Sequence, residues 1–397
     1  MIDQKGERMI INKMGIREQN EAAVLKTIID NEHISRAEVS HLTNLNKASV
    51  SQIMKKLIET EFVKEVGIGD STSIGGRKPI QLQFDHQSSL AVTFDIGYNY
   101  VNGMLSYING QKIATAEKQD ILITKDNVFT TIDSIMQEFT PQMPSATHGL
   151  VGICLAIHGI VNQETITFTP YYDLEGIDLI TPLSQKYNTA VYIENEANLT
   201  ALGEYCFSSD STNLISVSIH SGIGVGIIVN GRLQTGTHGT AGEVGHSTLF
   251  PHGNLCPCGN RGCLEQYASN KVLFDTYSHY TKKDFVNSDI FAEAVHSGEK
   301  SAIELARQNV EFLSIGLNNV ITFFDPEEVY INSSVYRKIP TLLTELQQKL
   351  TSQFTQNTKI KTSRLGEQAP LFGGNVLVAK HFLNIEDLRF PSIDHRH

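Results

Sequence analysis

Apolar residues recur with the 3.6-residue period of an amphipathic helix in the first part of the chain. This spacing predicts a first helix over residues 19–30. A capping-box pattern starting at Ser35 predicts a second helix that buries Val39 and Leu42, and Asn46 is expected to cap a third. The apolar positions that predict the first and third helices are Val24, Leu25, Ile28, Ile29, Val50, Ile53, Met54, Leu57 and Ile58.

After the third helix the pattern changes to the two-residue alternation of strands. Residues 62–66 and 80–84 are predicted to form a hairpin, joined by a loop rich in glycine and serine. Three helices followed by a hairpin predict a winged helix-turn-helix domain over residues 1–85. Residues 1–18 are either a flexible arm or an extra helix.

The exposed face of the third helix is short, polar and basic, which suits insertion into a DNA major groove. The loop of the hairpin carries two adjacent cations that suit a minor groove. The alternatives are the solvated face of a small helical bundle and a basic hinge between domains; the order of helix-turn-helix and wing favours DNA. The predicted DNA-binding residues are Asn46, Lys47, Ala48, Ser49, Ser51, Gln52, Lys55, Arg77 and Lys78.

From residue 86 onwards strands and helices alternate, which predicts an α/β body. Apolar runs over residues 90–96, 150–157, 190–193 and 214–219 predict strands. A polar or glycine-rich cluster follows each run, and the last of these clusters, residues 221–226, is expected to precede a further strand. Ligands of such sheets bind at the carboxyl ends of the strands. No role is assigned to His220, His238 or His252.

Composition refines this interpretation. The chain of 397 residues carries a formal net charge of −11, but residues 1–85 hold 12 basic and 12 acidic residues, so the N-terminal domain is not acidic. No run of about eighteen apolar residues predicts a membrane span. Five cysteines without an apolar signal segment predict a cytoplasmic protein, in which Cys154 and Cys206 belong to the core.

The other three cysteines cluster behind a histidine. His246, Cys256, Cys258 and Cys263 form an H-x9-C-x-C-x4-C array, the donor set of a closed tetrahedral zinc site. Four protein ligands leave no position for a reactive water, so a structural zinc is predicted. A disulfide knot and three unrelated thiols are the alternatives, which a reducing compartment disfavours.

Four motifs in the body occur together. They are ENEAN at residues 194–198, SGIGVGIIVNG at 221–231, GEVGH at 242–246 and CPCGNRGCLE at 256–265. The set resembles the ROK family of repressors and sugar kinases, and the winged domain places the chain with the repressor branch. The resemblance implies an α/β body with an actin-like/hexokinase-like (ribonuclease H-like) fold, whose two lobes close on a sugar. The predicted lobes are residues 86–200 and 201–397, with the possibility that the last helix returns to the first lobe.

The resemblance also implies a set of sugar-binding residues. In the kinases of this family the sugar is held by an Asn-Asp pair, by the Glu and His of the GE-x-GH motif and by the Glu after the last cysteine. The matching positions are Asn195, Glu196, Glu243, His246 and Glu265. Carboxylates accept from sugar hydroxyls, whereas an asparagine both donates and accepts. His246 is expected to bind zinc through one ring nitrogen and the sugar through the other.

The kinase pattern is altered at three places. Glu196 stands where the kinases have aspartate, Tyr98 interrupts the first phosphate loop, and residues 329–334 lack paired glycines. These departures predict that no nucleotide binds and that the chain is not an enzyme.

The sequence therefore predicts a sugar-responsive transcriptional repressor, released from a two-fold symmetric operator by an aldose such as xylose or glucose. A homo-oligomer, most simply a dimer, matches such an operator. One alternative is an active ATP-dependent ROK-type sugar kinase with a DNA-binding appendage. Another is a constitutive DNA-binding protein with a vestigial body.

Overall fold

The computed structural model describes residues 4–68 and 79–390. The N-terminal domain contains the predicted winged helix-turn-helix, with one strand that the sequence did not reveal. Its elements are helices α1 (Gln4–Asp30), α2 (Arg36–Thr43) and α3 (Lys47–Glu59) and strands β1 (Ile34–Ser35), β2 (Val63–Ile68) and β3 (Ile80–Phe84). The strands form an antiparallel sheet in the order β1-β3-β2. Arg77 and Lys78 lie outside the described residues.

Side-chain caps fix the helix boundaries in this domain. Ser35 forms the predicted capping box with Glu38, and Asn46 Oδ1 accepts a hydrogen bond of 2.8 Å from Ser49 N. The prediction that Leu42 is buried is wrong, because its side chain is 53% exposed. α2 ends one residue later, at Thr43, and turns Val39 rather than Leu42 towards the core.

The body alternates strands and helices as predicted. Its strands are β4 (Ser89–Ile96), β5 (Tyr100–Tyr107), β6 (Lys112–Gln119), β7 (Gly149–Ile157), β8 (Ile160–Asn162), β9 (Thr165–Phe168), β10 (Ala190–Asn195), β11 (Leu214–Ile219), β12 (Ile223–Val229), β13 (Arg232–Leu233), β14 (Glu328–Asn332) and β15 (Lys359–Thr362). Its helices are α4 (Val128–Phe139), α5 (Ile180–Tyr187), α6 (Glu196–Phe207), α7 (Glu265–Ala268), α8 (Asn270–Thr281), α9 (Ser288–His296), α10 (Lys300–Phe324), α11 (Ser334–Lys338), α12 (Thr341–Lys349) and α13 (Ala369–Leu383).

Two five-stranded sheets share one topology. The first has the order β10-β7-β4-β5-β6 and the second the order β13-β12-β11-β14-β15. In each, three strands form an antiparallel meander, and two later strands add in parallel beside the first strand of the meander. This duplicated arrangement confirms the predicted two-lobe α/β fold.

Helices α6 and α13 pack closely against each other between the sheets. A Cβ atom on Gly203 of α6 would lie 2.6 Å from Ala369 O, and one on Gly373 of α13 would overlap the backbone of Leu199. α6 packs on β11 and β12, whereas α13 packs on β4 and β7. The predicted boundary between residues 200 and 201 falls within α6.

Part of the glycine-rich segment at residues 221–226 forms a strand rather than a loop. β12 begins at Ile223 and pairs with β11. A Cβ atom on Gly226 would overlap the backbone of Ala197 in α6, so this glycine allows a helix to approach the strand. None of the described helices is long and apolar enough to cross a membrane.

Candidate functional site

A cleft at the carboxyl ends of β7, β10 and β11 brings the predicted ligand-binding residues together. Asn195, Glu196, Glu243, His246 and Glu265 all line it, although they come from separate segments of the chain. The sequence analysis did not assign the other polar and aromatic side chains of the lining, which are His158, Phe168, Tyr171, Ser218, His220 and Ser221.

Asn195 joins β10 to α6 and is held from both sides. Its Oδ1 accepts a hydrogen bond of 3.1 Å from Asn198 N and so caps the helix, while Nδ2 donates to Gly159 O at 2.7 Å. The buried carboxylate of Glu194 accepts from Asn195 N and from Asn198 Nδ2. One amide hydrogen and one oxygen lone pair of Asn195 remain for a ligand.

Glu196 is the first residue of α6 and is buried. Its Oε1 accepts hydrogen bonds from Thr200 Oγ1 at 2.8 Å and from Ser218 Oγ at 3.1 Å. His220 Nε2 lies 3.8 Å from the same oxygen. The carboxylate therefore ties α6 to β11 as well as lining the cleft.

Glu243 and Glu265 are the two carboxylates that residues 242–265 contribute to the cleft. Burial and the neighbouring charge of Glu265 raise the pKa of Glu243 to about 7. Glu265 Oε1 accepts from Tyr171 Oη at 3.5 Å and from Gln266 Nε2 at 3.2 Å. Glu265 therefore offers the cleft a hydrogen-bond acceptor that Tyr171 and Gln266 hold in place. Glu243 offers a carboxyl group that both donates and accepts near neutral pH.

The candidate metal ligands His246, Cys256, Cys258 and Cys263 also converge. Their donor atoms all lie within 4.8 Å of one another. Cys258 Sγ is 3.7 Å from Cys263 Sγ, and Cys256 Sγ is 3.4 Å from His246 Nδ1. Tetrahedral zinc, with bonds of about 2.3 Å to sulfur and about 2.0 Å to nitrogen, places its ligand atoms about 3.4–3.8 Å apart. The His/Cys3 cluster thus fits a metal ion, and its three cysteines form no disulfide.

His246 separates the cluster from the cleft. Its Nδ1 faces the cysteines, whereas its Nε2 lies 3.6 Å from Glu243 Oε2. Nδ1 also lies 3.7 Å from Glu265 Oε1, so the ring stands between the cysteines and the two carboxylates of the cleft.

His158 and Asp95 form a pair that the sequence analysis missed. His158 Nε2 lies 2.8 Å from Asp95 Oδ1, and Tyr100 Oη donates to Asp95 Oδ2 at 3.1 Å. Burial alone would lower the pKa of His158, but the Asp95 carboxylate outweighs burial and raises this pKa to about 9. Asp95 lies at the end of β4 and His158 directly follows β7. Because ligands bind at the carboxyl ends of parallel strands, these positions could have marked both residues as part of the site.

His220, to which no role was assigned, also belongs to the cleft. It follows β11 directly, and its ring lies 5.7 Å from that of His158. Burial lowers the pKa of His220, with Glu196 opposing this effect and His158 adding to it. His238 and His252 do not line the cleft.

The predicted DNA-binding face of α3 is exposed to solvent. Asn46, Lys47, Ala48, Ser51, Gln52 and Lys55 are exposed and Ser49 is half-buried. Lys55 forms an exposed pair of 3.7 Å with Glu59. Asn46 Oδ1 accepts one hydrogen bond as the helix cap, so its NH2 group and the second lone pair of its oxygen are available to another molecule.

The sequence pattern of the ROK family matches residues 91–381. The chain belongs to the ROK family. A winged helix-turn-helix DNA-binding pattern matches residues 17–64. Both the family resemblance and the N-terminal domain predicted from the sequence are therefore confirmed.

Similar proteins include regulators from Bacillus subtilis and Escherichia coli. The xylose repressor of Bacillus subtilis is 35% identical over 387 residues, which cover 95% of this chain and 99% of the relative. The DNA-binding transcriptional dual regulator NagC of Escherichia coli is 26% identical over 96% of this chain and 97% of its own.

Solved structures show the same architecture. A ROK family transcriptional regulator, a homolog of the E. coli MLC protein, superposes with a TM-score of 0.80 at 25% identity, covering 93% of this chain and 97% of that one. A ROK family glucokinase from Streptomyces griseus has a TM-score of 0.64 at 24% identity over 72% of this chain and 98% of its own, which shows the shared fold.

Proposed function

We propose that this protein is a sugar-responsive transcriptional repressor of carbohydrate-utilisation genes whose inducer is an aldose, with xylose as the first candidate and glucose as the second. The observation that carries the proposal is the convergence of Asn195, Glu196, Glu243, His246 and Glu265 on one cleft in a chain that also has an exposed recognition helix. The similarity to xylose repressors over almost the whole chain supports it.

The cleft has the chemistry that a polyhydroxyl ligand needs. Glu265 accepts hydrogen bonds, Glu243 accepts or donates, and Asn195 has one donor and one acceptor to spare. Phe168 and Tyr171 offer apolar faces to the carbon skeleton. Selectivity follows because a ligand that lacks a hydroxyl leaves a buried polar group of the cleft unpaired.

Zinc held by His246, Cys256, Cys258 and Cys263 is the second part of the proposal. The ion has a structural role and fixes the loop that carries Glu243 and Glu265. With Nδ1 directed to the metal, His246 Nε2 remains available to a sugar hydroxyl. Loss of the metal would therefore disturb the sugar-binding wall.

The absence of kinase activity and of a nucleotide cofactor is the third part. Asp95, the residue before the altered phosphate loop, is already engaged by His158 and Tyr100. One oxygen of Glu196, which stands where the kinases have aspartate, is engaged by Thr200 and Ser218. These bonds favour a binding site over a catalytic one, because they occupy both oxygens of Asp95 and one oxygen of Glu196, the positions that a kinase uses for metal-nucleotide and for the sugar proton.

The repressor acts in the cytoplasm as a homodimer on a two-fold symmetric operator. α3 of each subunit enters a major groove, and the loop with Arg77 and Lys78 reaches the adjacent minor groove. Sugar closes the two lobes and changes the spacing of the two recognition helices, since only a ligand with different affinities for the two states can shift the equilibrium.

Three measurements test the proposal. A thermal-shift panel of aldoses should show stabilisation by about 2.7 kcal/mol at a sugar concentration 100 times the dissociation constant. A duplex selected from random DNA should be bound tightly and released by the same sugar. A coupled assay should show no sugar-dependent ATP hydrolysis. Turnover comparable with that of ROK kinases would favour the kinase alternative, and DNA binding without any sugar response would favour the constitutive protein.

A further inference from the structure

Three aromatic rings join the DNA-binding domain to the body. Phe62 stacks on His148 with ring centroids 4.5 Å apart and an interplanar angle of 20°, and it lies 5.6 Å from the ring of Phe382. His148 and Phe382 also meet edge to face at 5.6 Å. We call Phe62, His148 and Phe382 the aromatic seat. Beside it, Thr147 Oγ1 donates a hydrogen bond to Glu61.

The backbone around the seat allows little independent rotation. Only residues 85–88 connect β3 to β4, and His86–Ser88 form a 3-10 turn. Asp85 N donates to Phe62 O at 2.9 Å, and His148 N donates to Ser88 O at 2.8 Å. The DNA-binding domain is therefore hydrogen-bonded to the connection, residues 85–88, and the connection is hydrogen-bonded to the residue that precedes β7 of the first sheet.

The seat and the cleft lie at opposite ends of the same elements. β7 starts directly after His148 and ends directly before His158, which lines the cleft. β4 likewise runs from the connection to Asp95 and Ile96. Nine residues of β7 span about 30 Å, so the first sheet is a stiff spacer between the two sites.

On the side of the second sheet the DNA-binding domain shares an apolar cluster with Cys206, Leu388 and Phe390, but its ion pair with the body is long. Lys26 Nζ lies 4.0 Å from Asp387 Oδ2 but 2.7 Å from Asp30 Oδ2, its neighbour in α1. Asp387 accepts from Tyr205 Oη, and Arg389 donates to Ser209 O and Ser211 O. A cavity separates the end of α1 from these residues; its lining includes Asp30, Phe207, Ser209, Asp210, Arg364 and Arg389.

We infer that Phe62, His148 and Phe382 are positioning residues that fasten the DNA-binding domain to the first lobe, so that lobe closure on a ligand carries the recognition helix with that lobe. The inference rests on the proposed function of a sugar-responsive repressor. The directional contacts, ring stacking and backbone hydrogen bonds, lie on the first lobe, whereas the other side has non-directional apolar packing and a long ion pair. A change in the angle between the lobes therefore strains the second-sheet side first.

His148 allows a matched pair of variants. Its Nε2 is buried and makes no hydrogen bond within the described part of the chain. His148→Phe keeps a ring in the seat and removes the unpaired nitrogen, whereas His148→Ala removes the ring. Phe323→Ala, which deletes an exposed ring of α10, controls for the loss of an aromatic side chain.

The experiment compares the full-length variants for operator affinity with and without the inducing sugar, for sugar affinity and for cleavage by a protease at the connection. His148→Ala should reduce the ratio of operator affinity without sugar to operator affinity with sugar by about tenfold. It should also expose residues 85–88 to cleavage. Its affinity for the sugar should change by less than about twofold. His148→Phe and Phe323→Ala should behave like the wild type.

The outcomes separate the two claims. If the wild-type protein responds to sugar and His148→Ala retains the full ratio, the inference is wrong while the proposed function stands. If the wild-type protein does not respond to any sugar, the proposed function fails, and the protease result alone then decides whether the seat fastens the domain. Unchanged cleavage of His148→Ala would contradict the fastening in either case.

Discussion

Asp95 and His158 form a hydrogen-bonded ion pair across the carboxyl ends of β4 and β7, with 2.8 Å between Oδ1 and Nε2. The two strands are neighbours in parallel register, so both residues reach the same end of the sheet. Asp95 lies three residues before Tyr98, which interrupts the predicted phosphate loop. Because the pair raises the pKa of His158, the stability of the protein should depend on pH.

We expect stability to fall as pH rises from about 6.5 to about 9. The pKa of His158 is raised from 6.5 to about 9, so the folded state retains a proton that the unfolded state loses in this window. The stabilisation by protonated His158 is complete below pH 6.5, the unfolded-state pKa, and is lost as pH rises through about 9, the folded-state pKa. Between these values the free energy of unfolding should fall by at most about 1.4 kcal/mol per pH unit. Urea denaturation across pH 6–10 measures it.

His158→Gln is the matched control, because glutamine does not titrate. The groups around His158 are Asp95 on β4, Tyr100 on β5, Glu196 on α6 and His220 after β11. The lowered pKa of His220 affects stability below pH 6.5, outside this window. An equal slope in the variant would assign the effect to another group.

Sugar binding should depend on Glu243. Glu243→Gln preserves the size of the side chain and removes its charge, so we expect sugar affinity to fall about tenfold or more, the typical effect of a lost hydrogen bond to a charged group. Isothermal titration with the sugar that gives the largest thermal shift measures the loss. Glu293→Gln, an exposed change on α9, should have no effect. Equal affinities of both variants would remove Glu243 from the ligand site.

Metal content should depend on Cys258, the exposed thiol of the cluster. Cys258→Ser leaves three strong ligands, so we expect bound zinc to fall well below one ion per chain and the melting temperature to drop, because metal binding contributes to folding stability. Elemental analysis and melting curves with and without a chelator measure both. Cys154→Ala, a core thiol outside the cluster, should retain full zinc content; zinc retained by Cys258→Ser would contradict a four-ligand site.

Two residues of α3 should affect DNA binding in different ways. Gln52→Ala should cost about 1–3 kcal/mol and relax sequence preference, whereas Lys47→Ala should weaken all sequences alike and reduce the salt slope by about 1. Fluorescence anisotropy with the selected duplex and a single-base variant at several salt concentrations separates these effects. Lys300→Ala, an exposed change in the second lobe, should leave both quantities unchanged. If Gln52→Ala changes only the salt slope, Gln52 contacts the phosphate backbone rather than a base.

Two glycines in the middle of helices should differ in their tolerance of a methyl group. A Cβ on Gly373 of α13 would overlap the backbone of Leu199, whereas on Gly316 of α10 it would meet only the side chain of Leu264. Gly373→Ala should therefore lower the free energy of unfolding by about 1–3 kcal/mol. Gly316→Ala should lower it by less, because the end of the Leu264 side chain can move aside and the backbone of Leu199 cannot; the gain in helix propensity, about 1 kcal/mol, is the same at both sites. Urea denaturation compares them, and equal losses would contradict the close contact between α6 and α13.

Local signals predicted the N-terminal domain and the metal cluster well. The caps at Ser35 and Asn46 depend on neighbouring residues, and the four candidate metal ligands lie within one short segment. Leu42 was misjudged because α2 ends at Thr43, too early for the helical period to place the residue inside.

The parts that the sequence did not reveal depend on contacts between distant segments. His158 and His220 come together only because β7 and β11 end at the same cleft. Gly226 resembled part of a loop because the helix that requires it, α6, comes from an earlier part of the chain. The five predicted sugar-binding residues, which line one cleft, were chosen through family motifs rather than through any pattern in the chain itself.

The glycine contact between α6 and α13 has a mechanical consequence for the whole molecule. Backbone meets backbone at Gly203 and Gly373, so no side chain is available there to change rotamer and absorb a movement. In the lobe closure proposed above, the helix crossing is therefore the fulcrum about which one half of the body tilts. A tilt of a few degrees moves each atom in proportion to its distance from the fulcrum, so a small displacement at the cleft becomes a larger one at the far end of the lever.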